Sequence, residues 1–303
     1  MNRVFPYALP LQKPLKLAGG VSLTERKGFL IHNPDTGGWG DAAPLPGFSP
    51  ETYEDVKEAL TQSDPDLSTF PSLRFAMECA LSPFSAPKQD VSVNALWMAD
   101  REPPGDLLGR LEKWSHPVVK VKPGIRPDVQ ALLKILDVRP ELRFRVDGNR
   151  QWSLDQTLEF FSSIPASALE YMEEPLRTPE EYEKLWDRAP VPVALDESLL
   201  TTEGRELAEK THVKAFVLKP TLLGNTRDRA RWVDLARKRK IQIVWSSCFE
   251  SGAGLWNLAR LAEGFSVCGL DTGGIFGKDL VDPRPLSSRG KLRVPSSKVK
   301  IVI

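Results

Sequence analysis

Apolar and polar positions follow two textures along the chain. Over residues 1–88, "RVFPYALPL" and "KGFLIHN" alternate with the two-residue period of half-buried strands. "GGWGDAAPLPGFSPET" is dense in Gly and Pro and reads as loop. Ser49 as N-cap, Pro50 at the first helical position and Glu51 and Glu54 in the first turn predict a helix through "ETYEDVKEALTQ". "SLRFAMECALS" predicts a second helix, and "SAPKQD" a linker. The order expected is β-β-β-α-α.

From residue 91 short apolar runs take over: "VSVNALW", "PVVKVK", "LRFRVDGN", "ALEYMEE", "VPVALDES", "VKAFVLKP", "IQIVWSS" and "FSVCGLDT". Amphipathic stretches separate them, among them "DVQALLKILDV", "LDQTLEFFSSI", "PEEYEKLWDRA" and "TRDRARWVDLARKRK". Strands alternating with helices predict a parallel sheet. Eight strand candidates at a pitch of roughly 25 residues predict a barrel of the (β/α)8 type, an α/β fold. No glycine-rich dinucleotide or phosphate loop follows any strand, which places a doubly wound open sheet second. The tail "GKLRVPSSKVKIVI" returns to strand-like alternation and is expected to pack back on the N-terminal part.

The polar residues that close the apolar runs form an ordered series: Lys120 and Lys122, Asp147, Glu173, Asp196, Lys219, then Ser246 and Ser247. The intervals from Lys122 onward are 25, 26, 23 and 23 residues. Taken singly, "DGN" reads as a turn, "EEP" as a solvated acid pair, "LDES" as a helix cap and "LKP" as a rim lysine. In a parallel barrel, however, the C-terminal strand ends form one ring, so residues distant in sequence converge. Three carboxylates in one pocket repel one another unless a cation neutralises them. Ligation by carboxylate oxygen without Cys or His suits a hard divalent ion, best Mg2+. Side chains two apart share a strand face, so Lys120 and Lys122 point the same way. Two neighbouring ammonium groups beside a dication disfavour protonation of one of the two lysines, which predicts a general base. Together these features predict removal of a proton from carbon beside a carboxylate, with the metal stabilising the enediolate.

Composition narrows the partners. With 41 basic and 40 acidic residues, no net field draws nucleic acid or an anionic membrane surface. The apolar runs fall far short of the ~20 residues of a membrane helix. No apolar signal core follows Met1, and Cys79, Cys248 and Cys268 are too few and too scattered for a disulfide framework or zinc site. A cytoplasmic location and a small-molecule carboxylate as partner are therefore expected, with either a monomer or a small homo-oligomer. His32, His116 and His212 have no ligand spacing and read as structural or surface residues.

The motifs "KVK" (120–122), "RVDGNR" (145–150), "EEP" (173–175), "LDES" (195–198), "VLKPT" (217–221), "SSCFESGAG" (246–254) and "GLDT" (269–272) resemble the enolase superfamily in its muconate-lactonizing-like branch. With "GWGDAAPLPGFSPET", they resemble the o-succinylbenzoate synthase family of menaquinone biosynthesis. The resemblance implies an α+β capping domain over residues 1–88, a (β/α)7β TIM-type barrel over 89–282 and a segment, 283–303, returning to the cap. It implies Mg2+ on Asp147, Glu173 and Asp196, with Glu173 rather than Glu174 as the ligand. It further implies a lyase in which Lys122 takes the α-proton of 2-succinyl-6-hydroxy-2,4-cyclohexadiene-1-carboxylate and then helps hydroxide leave, a syn dehydration. Lys219 would stabilise the enediolate from the opposite face, and Lys120 would tune Lys122 and contact a substrate carboxylate. Arg145, Asn149, Ser246 and Ser247 would orient substrate, while the loops around "LKLAGGVSL" and over 38–50 would close over its succinyl tail. Gly148 stands where many relatives carry Ala.

Two other readings remain. An N-acylamino acid racemase or dipeptide epimerase of the same scaffold would use Lys122 and Lys219 as proton donors and acceptors on opposite faces. A non-catalytic barrel serving as a binding protein would have no need of the complete set of carboxylates and lysines.

Overall fold

In the computed structural model, which describes residues 2–17, 20–99, 102–124 and 127–303, the N-terminal alternating segments pair as an antiparallel sheet. Strand β1 (Arg3–Lys16) pairs with β2 (Ser22–Asn33), and β2 with β3 (Gly38–Ala42). Strand β3 falls inside the stretch that reads as loop. Its glycines explain both facts: a Cβ on Gly40 or Gly38 would run into the backbone carbonyls of Ala76 and Ala80. Helix α2 (Pro71–Ala80) therefore packs directly on the β3 backbone. Helix α1 (Tyr53–Ala59) begins later than expected, with Thr52 and not Ser49 as its N-cap. Thr52 Oγ1 accepts from Asp55 N at 3.2 Å while Asp55 Oδ2 accepts from Thr52 N at 2.8 Å. This reciprocal pair satisfies two orphan donors at once. Ser49 Oγ accepts instead from Leu45 N and tightens the preceding turn. Phe29, Ile31, Ala42, Val56, Leu73 and Ala76 are buried between sheet and helices. Of the loop over 15–23, residues 18 and 19 lie outside the described residues.

After a short strand β4 (Val91–Ser92) come β5 (Ala95–Met98), β6 (Val118–Lys122), β7 (Arg143–Asp147), β8 (Leu169–Glu173), β9 (Val193–Leu195), β10 (Val213–Leu218) and β11 (Gln242–Trp245). Strands β5 to β11 lie side by side in chain order as a seven-stranded sheet among the described residues, and the paired registers from β5 to β10 are parallel. The expected eighth strand, "FSVCGLDT", is reduced to single parallel bridges, Val93 to Cys268 and Ser246 to Gly269. The helices between strands are α3 (Pro104–Leu111), α4 (Val129–Val138), α5 (Leu154–Ser163), α6 (Glu181–Arg188), α7 (Thr202–Leu207), α8 (Pro220–Leu223), α9 (Thr226–Arg239) and α10 (Gly252–Leu261). Helix α10 escapes a periodicity reading because it is buried along Gly252–Ala259 and has no polar face over that span. The short strands β12 (Val281–Asp282) and β15 (Lys300–Ile301) pair with each other, and β13 (Ser287–Ser288), β14 (Lys291–Leu292) and β4 form a three-stranded ribbon.

Two compact units divide the chain: Met1–Val93 with Leu218–Asp234 and Trp245–Ile303, and Asn94–Val217 with Leu235–Val244. Lys120, Lys122, Asp147, Glu173 and Asp196 belong to the second, and Lys219, Ser246 and Ser247 to the first. Among the described residues no helix is long and apolar enough to cross a membrane.

Candidate active site

In the second unit, parallel register places Lys120 beside Arg145 and Asp147 beside Glu173. Lys120 Nζ lies 2.7 Å from Glu173 Oε1 and 3.0 Å from Asp147 Oδ2, and Lys122 Nζ lies 3.0 Å from the same Asp147 oxygen. Lys120, Asp147 and Glu173 are buried, whereas the Lys122 side chain keeps 27% of its surface. A lysine inside a strand that is otherwise core is tolerated because carboxylates face it. The two lysines are thus the cations that neutralise the carboxylates in this arrangement.

Among the described residues no three of Asp, Glu, His and Cys stand together as a ready metal site. Lys120 bridges the carboxylates of Asp147 and Glu173. The donor set still fits a hard divalent ion. Its members are carboxylate oxygens at adjacent strand ends, and the buried Glu173 Oε2 has no hydrogen-bond partner among the described residues. Asp196, buried just beyond β9, precedes a 3-10 turn (Glu197–Leu200) without its side chain capping that turn.

The loops after these strands are laced together by a residue that the sequence reading set aside. Glu174 is fully buried and follows Glu173 at φ 39°, in the left-handed region. Its Oε1 accepts from Asp196 N at 2.9 Å and Ser198 N at 2.8 Å, and its Oε2 accepts from Ser198 Oγ at 2.8 Å. Arg150 Nε is 3.5 Å from Oε2. Burial, and next the Glu197 carboxylate, push the Glu174 carboxyl up to about 7. Asn149 and Arg150 also take positive φ, 46° and 56°. Non-glycine residues in this region are uncommon and concentrate at functional sites. Two acids in succession at a strand end was the available signal, since neighbouring residues there face apart.

Asn149 and Arg145, expected to orient substrate, have these partners within the fold. Asn149 donates its backbone N–H to Asp147 Oδ1 at 3.1 Å and its side-chain amide to Asp147 O at 3.4 Å, bracing the turn that carries Asp147. Arg145 is 1% exposed and forms a bidentate pair with Glu170, at 3.1 and 3.0 Å, over the ring of Tyr171. Its planar fork also donates to Asn94 Oδ1 at 3.3 Å.

In the first unit, Lys219 leads into helix α8 and is partly buried. Ser246 Oγ donates to Gly269 O at 3.3 Å. Ser247 Oγ donates to Glu250 Oε2 at 2.7 Å and accepts from Thr272 Oγ1 and Phe249 N. Glu250, buried and missed by the sequence reading, also accepts from Thr221 Oγ1 at 2.5 Å and from Cys248 N. It therefore ties the segment after Lys219 to the segment carrying both serines. Arg26 holds the same loop from β2, donating to the carbonyls of Cys248 and Phe249 and to those of Ala43 and Pro44. None of the three cysteines is in a disulfide.

Residues 107–297 match the family described as "Enolase C-terminal domain-like", and residues 1–84 match "MenC, N-terminal domain". The chain is 31% identical to an o-succinylbenzoate synthase of Klebsiella pneumoniae (strain 342), covering 95% of both chains. Among solved structures it resembles MenC from Desulfotalea psychrophila LSv54, with TM-score 0.77, 22% identity and coverage of 97% of this chain and 99% of that one. A mandelate racemase/muconate lactonizing protein from Herpetosiphon aurantiacus shares the fold at TM-score 0.80 and 19% identity, covering 99% and 98%. With full-length similarity to the synthases, and with lysines and carboxylates meeting at the ends of β6, β7 and β8, the chain belongs to the o-succinylbenzoate synthase family of the enolase superfamily.

Proposed function

We propose that this protein dehydrates 2-succinyl-6-hydroxy-2,4-cyclohexadiene-1-carboxylate to 2-succinylbenzoate, with Lys122 moving the proton. The observation that carries the reading is the meeting of Lys120, Lys122, Asp147 and Glu173 in one buried cluster, in which Lys122 is the lysine that reaches solvent. A base must meet substrate, and Lys120, enclosed by two carboxylates, is the less accessible candidate.

Lys122 Nζ in its neutral form takes the proton from the carbon bearing the carboxylate, and the electron pair passes into the carboxylate as an enediolate. The electrons then return, the C–O bond of the ring hydroxyl breaks, and Lys122 gives the proton to the departing hydroxide as water. One lysine serves both steps when proton and hydroxyl leave from the same face. Mg2+ held by Asp147, Glu173 and Asp196 would stabilise negative charge on the carboxylate oxygens. Lys120 keeps positive charge beside Lys122, and Lys219 is proposed as a further catalytic lysine on the family resemblance. Ser246 and Ser247, whose hydroxyl protons go to Gly269 O and Glu250 Oε2 in this structure, are proposed as substrate-binding residues on the family resemblance. A place in the cytoplasm and the division at residues 88 and 282 belong to the same reading.

The test is an assay of the purified protein with the cyclohexadiene and Mg2+. Wild type turns over, while Lys122→Ala does not, yet stays folded and binds Mg2+. Near-normal turnover by Lys122→Ala refutes the role of Lys122. Exchange of the α-proton of N-acylamino acids in D2O, with inversion and at a rate matching dehydration, would favour the racemase reading instead.

A further inference from the structure

The loop carrying Asp196 closes on itself through Leu199 N to Asp196 O at 3.0 Å, while its first N–H groups are bonded from outside the turn. Asp196 sits at φ −126°, ψ −89°, and the 3-10 turn after it gains no side-chain cap from its own first residue. The backbone N–H groups of Asp196 and Ser198 would be orphans at such a start. Both are taken by a single oxygen, Glu174 Oε1, from the neighbouring strand end. The other oxygen takes Ser198 Oγ, and Arg150 Nη2 reaches the same hydroxyl at 3.3 Å. The main chain of Glu174 is fixed on both sides, its N–H donating to Ala194 O at 3.2 Å and its C=O accepting from Arg150 N at 2.7 Å. The loops that carry Asp147, Glu173 and Asp196 thus share one buried carboxylate as a common anchor.

We infer that Glu174 is a positioning residue that sets Asp196 in place for metal binding, by accepting from the backbone on either side of Glu197. The inference rests on the reading of Asp196 as a Mg2+ ligand. What it requires of residue 174 is an acceptor of the right length rather than a charge. Glutamine meets the requirement, since its Oε1 can take both N–H groups while its amide donates to Ser198 Oγ. Methionine has the same reach and no comparable acceptor.

The experiment compares full-length wild type, Glu174→Gln and Glu174→Met by calorimetric titration with Mg2+ alone, well below the melting temperature of each, with circular dichroism to confirm folding. Glu174→Met is expected to weaken Mg2+ binding about 10- to 100-fold, the usual effect of losing a partner that orients a ligand. Glu174→Gln is expected to retain wild-type affinity. Wild-type affinity in folded Glu174→Met overturns the inference, as does equal loss in Glu174→Gln. Should Glu174→Met fail to fold, Ser198→Ala, which removes one of the three bonds, is expected to weaken binding by less, and unchanged affinity there overturns it. A wild type that binds no Mg2+ defeats the metal reading itself, an outcome distinct from a variant that binds as well as wild type.

Discussion

Lys120 Nζ is held 2.7 Å from Glu173 Oε1 and 3.0 Å from Asp147 Oδ2, with all three residues buried. A lysine and a divalent cation are alternative ways of neutralising the same two carboxylates.

Removing Lys120 should therefore expose their repulsion. Lys120→Met in metal-free buffer is expected to lose about 3–5 kcal/mol, the usual effect of breaking a buried ion pair. Saturating Mg2+ should then raise the melting temperature of the variant more than that of wild type, since the metal replaces the missing charge. Scanning calorimetry with and without Mg2+ measures both, and a metal-free variant as stable as wild type would contradict the account.

Asp41 gives a dependence on pH. It accepts from Tyr7 Oη, Ser251 N and Ser251 Oγ, and burial pushes it up to about 6 against the downward pull of those bonds. Because the folded value lies above the unfolded one, the folded state binds the extra proton between them. The stabilisation is complete below pH ~4 and is lost as pH rises through about 6, by roughly 3 kcal/mol at most. Asp41→Asn does not titrate, so it should become less destabilising relative to wild type between pH 4.5 and 7. Urea denaturation at the two pH values decides, and an equal difference at both would be the contrary result.

Arg26 is 2% exposed and bonded to four carbonyls in two loops. The single ammonium of Arg26→Lys cannot span them and leaves buried acceptors unmet. A loss of about 2–4 kcal/mol is expected in urea denaturation, although the charge is kept. A change within experimental error would mean that the fork geometry is irrelevant.

Gly40 and Gly37 separate space from backbone strain. A Cβ on Gly40 meets the Ala76 backbone, whereas Gly37 has φ 68° and open space around its Cβ position. Gly40→Ala is expected to lose about 3 kcal/mol by overpacking, and Gly37→Ala only ~1 kcal/mol from its left-handed conformation. Equal losses in thermal melts would show that helix α2 can withdraw from β3.

What the sequence determined by itself is what short-range physics encodes. Short apolar runs ending in Lys122, Asp147, Glu173, Asp196 and Lys219 located the strands and the polar residues that close them, because run length and spacing are properties of the chain alone. Tertiary structure decided what these runs could not carry. Strand β3 hid behind glycines whose purpose is the approach of α2, and "FSVCGLDT" shrank to two bridges. Thr52 displaced Ser49 as the cap because Asp55 answers it. Arg145, Glu174 and Glu250 have roles fixed by partners 25, 24 and 29 residues away, Glu170, Ser198 and Thr221. The partners of the neighbouring acids at 173 and 174 are likewise spatial: one carboxylate meets Lys120, and the other follows a positive φ and holds the next loop. A hydrogen bond between distant residues depends on where the strands bring them, and a linear pattern of apolar and polar positions does not record it.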